Sequence, residues 1–266
     1  MSALAGIRVL DFGQVIIGAV CGQVLADHGA DVVKIERPGT GDLSRSFAPF
    51  LNGESLPAIS VNRGKRSLAV DLKTPEGCAI ARRLAATADV LLENFRPGVM
   101  EQLGLGYEQL SAENPRLVYA TGSGYGTRGP LAEERRPGHE LLVQALTGLA
   151  WKNEVDGMPR ALPTTAVDFS GGMLLAQGIL LALIARGRTG RGQRVEVALT
   201  DAAMALQQWD LSGLMNTGVG GGVDNHLSPL QAIYRTGDGF IAVVGWFRPN
   251  PVGNLCSALG LSDLSS

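Results

Sequence analysis

The chain has 266 residues, a formal net charge of -2 and a hydrophobic fraction of 45%. These values are typical of a globular protein with one large domain or two ordinary ones. The near-neutral charge argues against a nucleic-acid binder, which usually has a basic excess. Cys21, Cys78 and Cys256 form no CxxC motif and no Cys/His cluster, so we expect neither a disulfide framework nor a metal site.

The N-terminal segment argues against export, and the length of the longest apolar run argues against a membrane span. The N-terminus enters an apolar strand pattern without a basic segment, so we expect no signal peptide. The longest apolar run, 173–185, is shorter than the roughly 20 residues that a membrane-spanning helix needs. We therefore expect a cytoplasmic protein without a membrane partner.

Strand and helix patterns alternate along most of the chain. A strand over 8–12, a helix over 18–28 and a strand over 31–35 form one βαβ unit. Later strands are predicted at 67–71, 90–93, 117–121 and 194–199, and later helices at 75–87, 140–150, 168–186 and 200–214. This alternation predicts an α/β fold with a parallel sheet.

A glycine-rich break at 218–222 marks the predicted domain boundary. We expect a large α/β domain over 1–217 and the start of a smaller α+β domain over 218–266. In the second part, two apolar stretches around Thr236 to Gly239 predict a hairpin, and a helix follows over 251–259. About 40 residues are too few for an independent domain, so we expect the smaller domain to be incomplete.

Basic loops follow three neighbouring strands of the predicted sheet. Arg37 follows the second strand, Arg63 and Lys73 flank the third, and Arg96 follows the fourth. Ligands of such sheets bind at the carboxyl ends of the strands, and arginine suits phosphate groups. Each loop alone reads as a solvated turn, but together they predict a phosphorylated cofactor. The chain has no GxGxxG and no Walker sequence, which disfavours a dehydrogenase and a P-loop ATPase.

Two candidate catalytic groups lie where helices are predicted to begin. Asp168 opens the long apolar helix, where free N–H groups and the helix dipole stabilise a carboxylate. The same position suits an aspartate that only caps the helix, and both interpretations stay open. His139 opens the preceding helix, where the dipole disfavours its cation, so it is either a base or a cap-region histidine.

Eight segments, collinear along the chain, resemble the class III CoA-transferase family. This family includes formyl-CoA and carnitine CoA-transferases and the α-methylacyl-CoA racemases. The segments are GIRVLDF (6–12), KIERPGTGD (34–42), NRGKRS (62–67), ENFRPG (93–98), PGHE (137–140), DFSGG (168–172), TGRGQ (189–193) and YRTGDG (234–239). Any one of them is a weak signal, and eight in order are a specific one.

The resemblance implies a Rossmann-like large domain, a smaller second domain and an interlocked homodimer. It implies an acyl-CoA and a carboxylic acid as substrates and no metal. It places the nucleophile at Asp168, matches Glu140 to an acidic residue of the site, and matches the glycines at 220–222 to a loop over the thioester. The implied CoA-binding residues are Arg37, Arg63, Lys73, Asn94, Phe95 and Arg96.

Two activities follow from the resemblance. In CoA transfer, Asp168 attacks the acyl-CoA and forms an anhydride and then an aspartyl-CoA thioester. In racemisation, His139 and Asp168 act on opposite faces of the α-carbon. Racemases usually have aspartate at the place of Glu140 and glutamate at the place of Arg248, so the sequence favours transfer.

Members of the family usually continue for about a hundred further residues, which complete the small domain and return to the large one. Three interpretations stay open: a shortened chain, a split enzyme completed by a second polypeptide, or a CoA-binding relative without activity.

Overall fold

The computed structural model describes residues 2–219, 230–245 and 249–262. Contacts within the chain divide it into two compact units, Met1–Leu206 and Gln207–Ser266. The domain boundary expected between residues 217 and 218 stays a prediction. The expectations for the glycines at 220–222 and for Arg248 concern positions outside the described residues.

The strands of the described residues form one large sheet and two small hairpins. They are β1 (Arg8–Asp11), β2 (Asp31–Glu36), β3 (Phe50–Leu51), β4 (Glu54–Ser55), β5 (Arg66–Ala69), β6 (Val90–Glu93), β7 (Val118–Ser123), β8 (Arg194–Ala198), β9 (Gln231–Arg235) and β10 (Phe240–Val244). The large sheet has six strands in the order β5-β2-β1-β6-β7-β8, and all its pairs are parallel.

This strand order is that of the Rossmann fold, in which the direction of winding reverses between the first and fourth strands of the sheet. Here the reversal lies between β1 and β6, where Val9 pairs with Val90 on one side and with Val32 on the other. The predicted α/β class with a Rossmann-like parallel sheet is confirmed. The interlocked dimer stays an expectation of the family resemblance.

Some helices begin at signals that are visible in the sequence. They are α1 (Ile17–Asp27), α2 (Leu56–Asn62), α3 (Pro75–Ala85), α4 (Val99–Gln102), α5 (Tyr107–Glu113), α6 (Pro130–Glu133), α7 (Glu140–Leu146), α8 (Ala166–Thr189), α9 (Leu199–Leu206), α10 (Gln208–Thr217) and α11 (Pro251–Ala258). At α3, the hydroxyl of Thr74 accepts the N–H of Gly77 at 3.1 Å and Pro75 takes the first position.

One predicted helix is wrong. The span 200–214 was expected to form a single helix, but Gln207 adopts φ -108° and ψ 19°, outside the helical region, and lies between α9 and α10. The short elements over 43–62 were not predicted, because their side chains show no clear apolar period. The hairpin expected in the second unit is confirmed as β9 and β10, with Tyr234 opposite Ile241.

The sheet is buried on both faces, and its side chains alternate between two apolar layers. Val90 and Leu92 pack in the layer of α1 and α8, whereas Leu91 and Tyr119 pack in the layer of α3, α4 and α5. This double burial explains why the central strands are apolar runs rather than alternating patterns.

α8 is the longest helix of the described residues, with 24 residues. By length and composition alone it could cross a membrane, which the apolar run 173–185 did not predict. One such helix is weak evidence, because core helices of soluble proteins meet the same test. Leu175 and Ile179 of α8 are fully buried in the core layer on the sheet. The cytoplasmic location stays a prediction.

The close contact of α1 and α8 depends on a glycine. A Cβ atom added at Gly172 would lie 2.8 Å from the carbonyl oxygen of Ile17 and 2.8 Å from the Cβ of Val20. Since backbone lies on the α1 side of this contact, any side chain at this position forces the two helices apart.

We expect Gly172→Ala to lower the free energy of unfolding by about 1–3 kcal/mol, the usual cost of overpacking a core. Gly187→Ala on the same helix is the matched control, because a Cβ atom added at Gly187 would have no neighbouring atom within 4 Å. Alanine should stabilise that position by up to about 1 kcal/mol. Urea denaturation measures both, and equal effects would contradict the packing argument.

Candidate active site

A cavity of about 300 Å³ lies at the carboxyl ends of β1, β6 and β7. Its wall includes residues 14–17 after β1, 94–97 after β6 and 122–126 around the end of β7. Asp168 from α8 and His139 from the start of α7 complete it. Open α/β sheets bind ligands at this place, where the strand order reverses.

The start of α8 is capped by a side chain from another helix. Glu140, the first residue of α7, accepts the N–H of Val167 at 3.1 Å and the N–H of Asp168 at 2.6 Å. The buried amide of Gln144 donates to Glu140 at 2.6 Å and fixes its orientation. Thr165, at the N-cap position, makes no capping hydrogen bond with its side chain. Glu140 therefore satisfies the N–H groups that a helix start leaves unpaired.

Asp168 is thereby released from the capping role that its position suggested. Its carboxylate accepts no hydrogen bond from the described residues, is half-buried, and lines the cavity. Burial raises the pKa of Asp168, and the neighbouring carboxylate of Glu140 raises it further, to about 7. A carboxylate whose charge is poorly stabilised is more basic and more nucleophilic than an ordinary aspartate.

His139 lies at the N-cap position of α7 and borders the same cavity. Its place depends on Gly138, where an added Cβ would lie 2.3 Å from the Cα of Gly124. The segment before α7 and the loop after β7 thus touch backbone to backbone. A side chain at residue 138 would push His139 and Glu140 away from the end of the sheet.

Three of the residues expected to bind CoA lie together at this cavity: Asn94, Phe95 and Arg96. The amide of Asn94 is engaged within the protein, since it accepts the N–H of Gln14 at 2.7 Å and donates to the carbonyl of Gln14 at 2.9 Å. Phe95 and Arg96 are the members of this group whose side chains remain available to a ligand.

The other three lie elsewhere. Arg37 and Lys73 are exposed beyond the carboxyl ends of β2 and β5 and do not line the cavity. Arg63 is ion-paired with Asp27 at 2.5 Å, which lowers the pKa of that aspartate. CoA binding by these residues stays a prediction.

A second cavity of about 270 Å³ shares Phe95 and Arg96 with the first. Glu93 forms part of its floor and accepts the N–H of Phe95 at 2.8 Å, which fixes the turn after β6. Burial raises the pKa of Glu93 to about 7. In the described parts of the chain, no group of three or more His, Cys, Asp or Glu side chains is placed to hold a metal ion.

The residues that shape the loop after β1 were missed from the sequence. Val15 adopts φ 63°, and its N–H donates to the carboxylate of Asp42 at 3.1 Å. Asp42 is fully buried in a segment that was interpreted as a phosphate loop around Arg37. The available signal was Lys34, which lies between the apolar residues Val33 and Ile35 of the strand, because a buried charge needs a partner.

A family model described as CoA-transferase family III matches residues 4–266, which is nearly the whole chain. The chain belongs to CoA-transferase family III. This confirms the resemblance carried by the eight segments.

The relatives of this family III enzyme include transferases and a racemase. It is 38% identical to the succinate–glutarate CoA-transferase of Agrobacterium fabrum, over 98% of this chain and 68% of the relative. It is 39% identical to the α-methylacyl-CoA racemase of Homo sapiens, over 98% of this chain and 66% of the relative. A crystal structure of a Mycobacterium tuberculosis protein, 40% identical, aligns with a TM-score of 0.86 over 99% of this chain and 70% of that one.

The family III enzyme should become more stable when the charge of Asp168 is removed. The pKa of Asp168 is 3.8 by its ordinary value and about 7 in the fold, so the wild-type protein loses stability as pH rises between these values. We expect Asp168→Asn to raise the free energy of unfolding at pH 8 by about 1–3 kcal/mol. The gain should shrink as pH falls towards 4. Urea denaturation across this range measures it, and a loss of stability at pH 8 would restore the capping role.

Glu140→Gln should separate the two effects of Glu140. The glutamine removes the negative charge beside Asp168, so the pKa of Asp168 should fall below about 7. It also turns an N–H towards the donors of α8, which should cost about 1–2 kcal/mol of stability. NMR titration of the Asp168 carboxyl measures the pKa. Glu133→Gln on the exposed α6 is the control, and an unchanged titration in both variants would contradict the assignment.

Proposed function

We propose that the chain transfers CoA from an acyl-CoA to a carboxylic acid, with Asp168 as the nucleophile. The observation that carries the proposal is the state of Asp168: it does not cap its helix, it is half-buried, and it faces a cavity at the switch point of the sheet. The family membership and the names of the transferase relatives support the same reaction.

The reaction divides into two exchanges on one carboxylate. Asp168 attacks the thioester carbonyl, the C–S bond breaks, and the CoA thiolate leaves an aspartyl anhydride behind. The thiolate then attacks the aspartyl carbonyl, which releases the donor acid and forms an aspartyl-CoA thioester. The acceptor carboxylate attacks that thioester, which releases the CoA thiolate and forms a second anhydride with Asp168. The thiolate then attacks the acceptor carbonyl of this anhydride, which forms the acceptor acyl-CoA and frees Asp168. Covalent catalysis of this kind replaces one difficult step by several easier ones.

The oxyanion of each tetrahedral intermediate needs donors that the start of α8 does not supply. Its N–H groups lie beside Asp168, but Val167 and Asp168 donate theirs to Glu140. α1 begins at Ile17 beside the same cavity, so its first N–H groups are the donors that we assign to the oxyanion. Glu140 then acts by holding α8 and by raising the pKa of Asp168.

The CoA moiety fits the carboxyl edge of the sheet. Phe95 offers a face for stacking and Arg96 a guanidinium for a phosphate group at the cavity. Arg37 and Lys73 lie at the same edge, after β2 and β5, and suit the more distant phosphates. The acyl-CoA and the acceptor acid are the small-molecule partners of this proposal.

Racemisation of a 2-methylacyl-CoA is the second candidate. His139 and Asp168 line one cavity, which is what a two-base exchange at an α-carbon requires. The human relative is named as a racemase of this kind. The carboxylate of Glu140 favours transfer over racemisation, because it raises the pKa of Asp168 and so strengthens a nucleophile.

The proposal includes a second polypeptide chain, either another copy of this chain or a different subunit, because the family resemblance implies one. Exposed apolar side chains on α7 and α8 include Leu141, Leu146, Met173, Leu181 and Ile184, which gives such a chain an apolar surface to cover. One relative, from Chloroflexus aurantiacus, is named as the beta subunit of a succinyl-CoA–malate CoA-transferase.

Trapping with hydroxylamine tests the covalent step. Incubation with an acyl-CoA and hydroxylamine should convert Asp168 into a hydroxamate, which peptide mass spectrometry locates. Asp168→Asn should show no modification. Asp201→Asn, which changes another first-turn aspartate that accepts the N–H of Ala198 at 3.1 Å, should be modified at Asp168 like the wild type. Turnover without any hydroxamate at Asp168 would overturn the mechanism.

Deuterium exchange separates the second candidate from the first. In heavy water, a racemase incorporates deuterium at the α-carbon of a 2-methylacyl-CoA, whereas CoA transfer leaves that position unchanged. We expect hydroxamate formation without exchange, and rapid exchange that requires His139 would favour racemisation.

A further inference from the structure

The segment between β1 and α1 adopts a conformation that its sequence disfavours. Val15 has φ 63°, in the left-handed region. A β-branched residue rarely adopts this region, because its Cβ approaches the backbone too closely. Such a conformation persists only when surrounding contacts hold it, and it is typical of functional sites.

Two buried side chains and one half-buried side chain hold this segment, one at each successive residue. The ammonium of Lys34 donates to the carbonyl oxygen of Gly13. The amide of Asn94 pairs with both backbone groups of Gln14, at 2.7 and 2.9 Å. The carboxylate of Asp42 accepts the N–H of Val15 at 3.1 Å.

Asp42 is the centre of this arrangement. It forms an ion pair with Lys34 at 2.8 Å, and both side chains are almost completely buried. It also accepts the N–H of Ser44 at 2.7 Å, and its own N–H donates to Glu36 at 2.8 Å. Burial opposes the charge of Asp42, but Lys34 and the N–H groups of Ser44 and Val15 together outweigh it and hold the pKa of Asp42 below its ordinary value.

A buried ion pair is weak evidence for a stabilising role, because desolvation of the two charges offsets most of their attraction. The geometry of this pair instead fixes backbone atoms of a loop. Both partners reach residues of the segment 13–15, and the fixed carboxylate leaves Val15 in its disfavoured conformation.

The held segment is in contact with the helix that carries Asp168. Ile17 follows it directly and is buried in the cluster that contains Val167. A Cβ at Gly171 of α8 would lie 3.1 Å from Cδ1 of Ile17, and one at Gly172 would lie 2.8 Å from its carbonyl oxygen. Residues 14–17 and Asp168 also line the same cavity.

We propose that Asp42 is a positioning residue for the Asp168 site. It holds Val15 in the left-handed conformation and thereby fixes the start of α1 against the start of α8, on the cavity that contains the Asp168 carboxylate. This inference rests on the proposed function for its catalytic consequence, but the conformational part of it stands on the backbone contacts alone.

Asp42→Asn tests the proposal in the full chain. The asparagine keeps an oxygen acceptor and loses the charge that pairs with Lys34. We expect faster amide hydrogen exchange in residues 13–18 and a kcat lowered about 10- to 100-fold, the effect of a displacement near 1 Å at a reacting centre. The KM for the acyl-CoA should change less than about threefold, since Phe95 and Arg96, which are assigned to CoA at the cavity, lie on the loop after β6.

Asp89→Asn is the matched control. Asp89 pairs with the buried guanidinium of Arg186 at 3.0 Å, at the amino edge of the sheet and away from the cavity. Its loss should lower the free energy of unfolding without changing kcat or the exchange of residues 13–18. If both variants lose kcat in proportion to their stability, Asp42 is only structural and the proposal is overturned.

A second pair of variants keeps the test decisive if Asp42→Asn does not fold. The double variant Lys34→Gln, Asp42→Asn leaves no unpaired buried charge and should show the same faster exchange and lower kcat. Adding Val15→Gly should restore part of kcat, because glycine reaches the left-handed region without strain. Wild-type exchange and wild-type kcat in the double variant would overturn the proposal.

The two proposals fail in different ways. A wild-type enzyme that forms no hydroxamate at Asp168 contradicts the proposed function, and the exchange of residues 13–18 then decides the role of Asp42 alone. A wild-type enzyme that transfers CoA, beside an Asp42→Asn variant with unchanged kcat and unchanged exchange, contradicts only the positioning role.

Discussion

Two hydrogen bonds from the start of α8 to Glu140 determine the chemistry of the site. A helix start must find acceptors for its first N–H groups, and an aspartate in the first turn is an ordinary source of them. Here the acceptor comes from α7, at 3.1 Å from the nitrogen of Val167 and 2.6 Å from that of Asp168. The carboxylate of Asp168 is therefore left to the cavity, beside a like charge that raises its pKa. The side chain of Glu140 thus both caps α8 and raises the pKa of Asp168, which α8 carries.

The fold could be predicted because its main signals are local. β6 (Val90–Glu93) is a continuous apolar run between polar turns, and α3 begins at a Thr-Pro pair that needs no distant contact to cap it. The break at Gln207 could not be predicted in the same way, because glutamine is a good helix former. Its backbone leaves the helical region although its own propensity favours a helix, so its surroundings and not its residue type determine the conformation.

The residues of the candidate site could be selected from the sequence, but their contacts could not be predicted from it. His139, Glu140 and Asp168 follow from motifs, but Glu140 caps a helix that begins 26 residues later, and no spacing in the sequence indicates that contact. The basic loops show the opposite limit. Arg96 reaches the cavity, whereas Arg63 pairs with Asp27, which lies 36 residues away in the sequence. A charged side chain on a loop serves whichever partner the fold brings near it, and residue type alone does not select between a phosphate and a carboxylate.

The costly features of the first unit collect at one edge of the sheet. At the carboxyl edge lie a left-handed valine at residue 15, the buried pair of Lys34 and Asp42, and a half-buried Asp168 whose carboxylate accepts no hydrogen bond from the described residues. At the amino edge, the buried guanidinium of Arg186 pairs with Asp89. It also donates to the backbone carbonyls of Asp89 and Arg116, and so connects the segments that precede β6 and β7. Strain and poorly stabilised charge reduce stability wherever they lie. Their concentration at the edge that holds the cavity fits the proposed reaction, because functional sites are where a fold accepts features that reduce its stability.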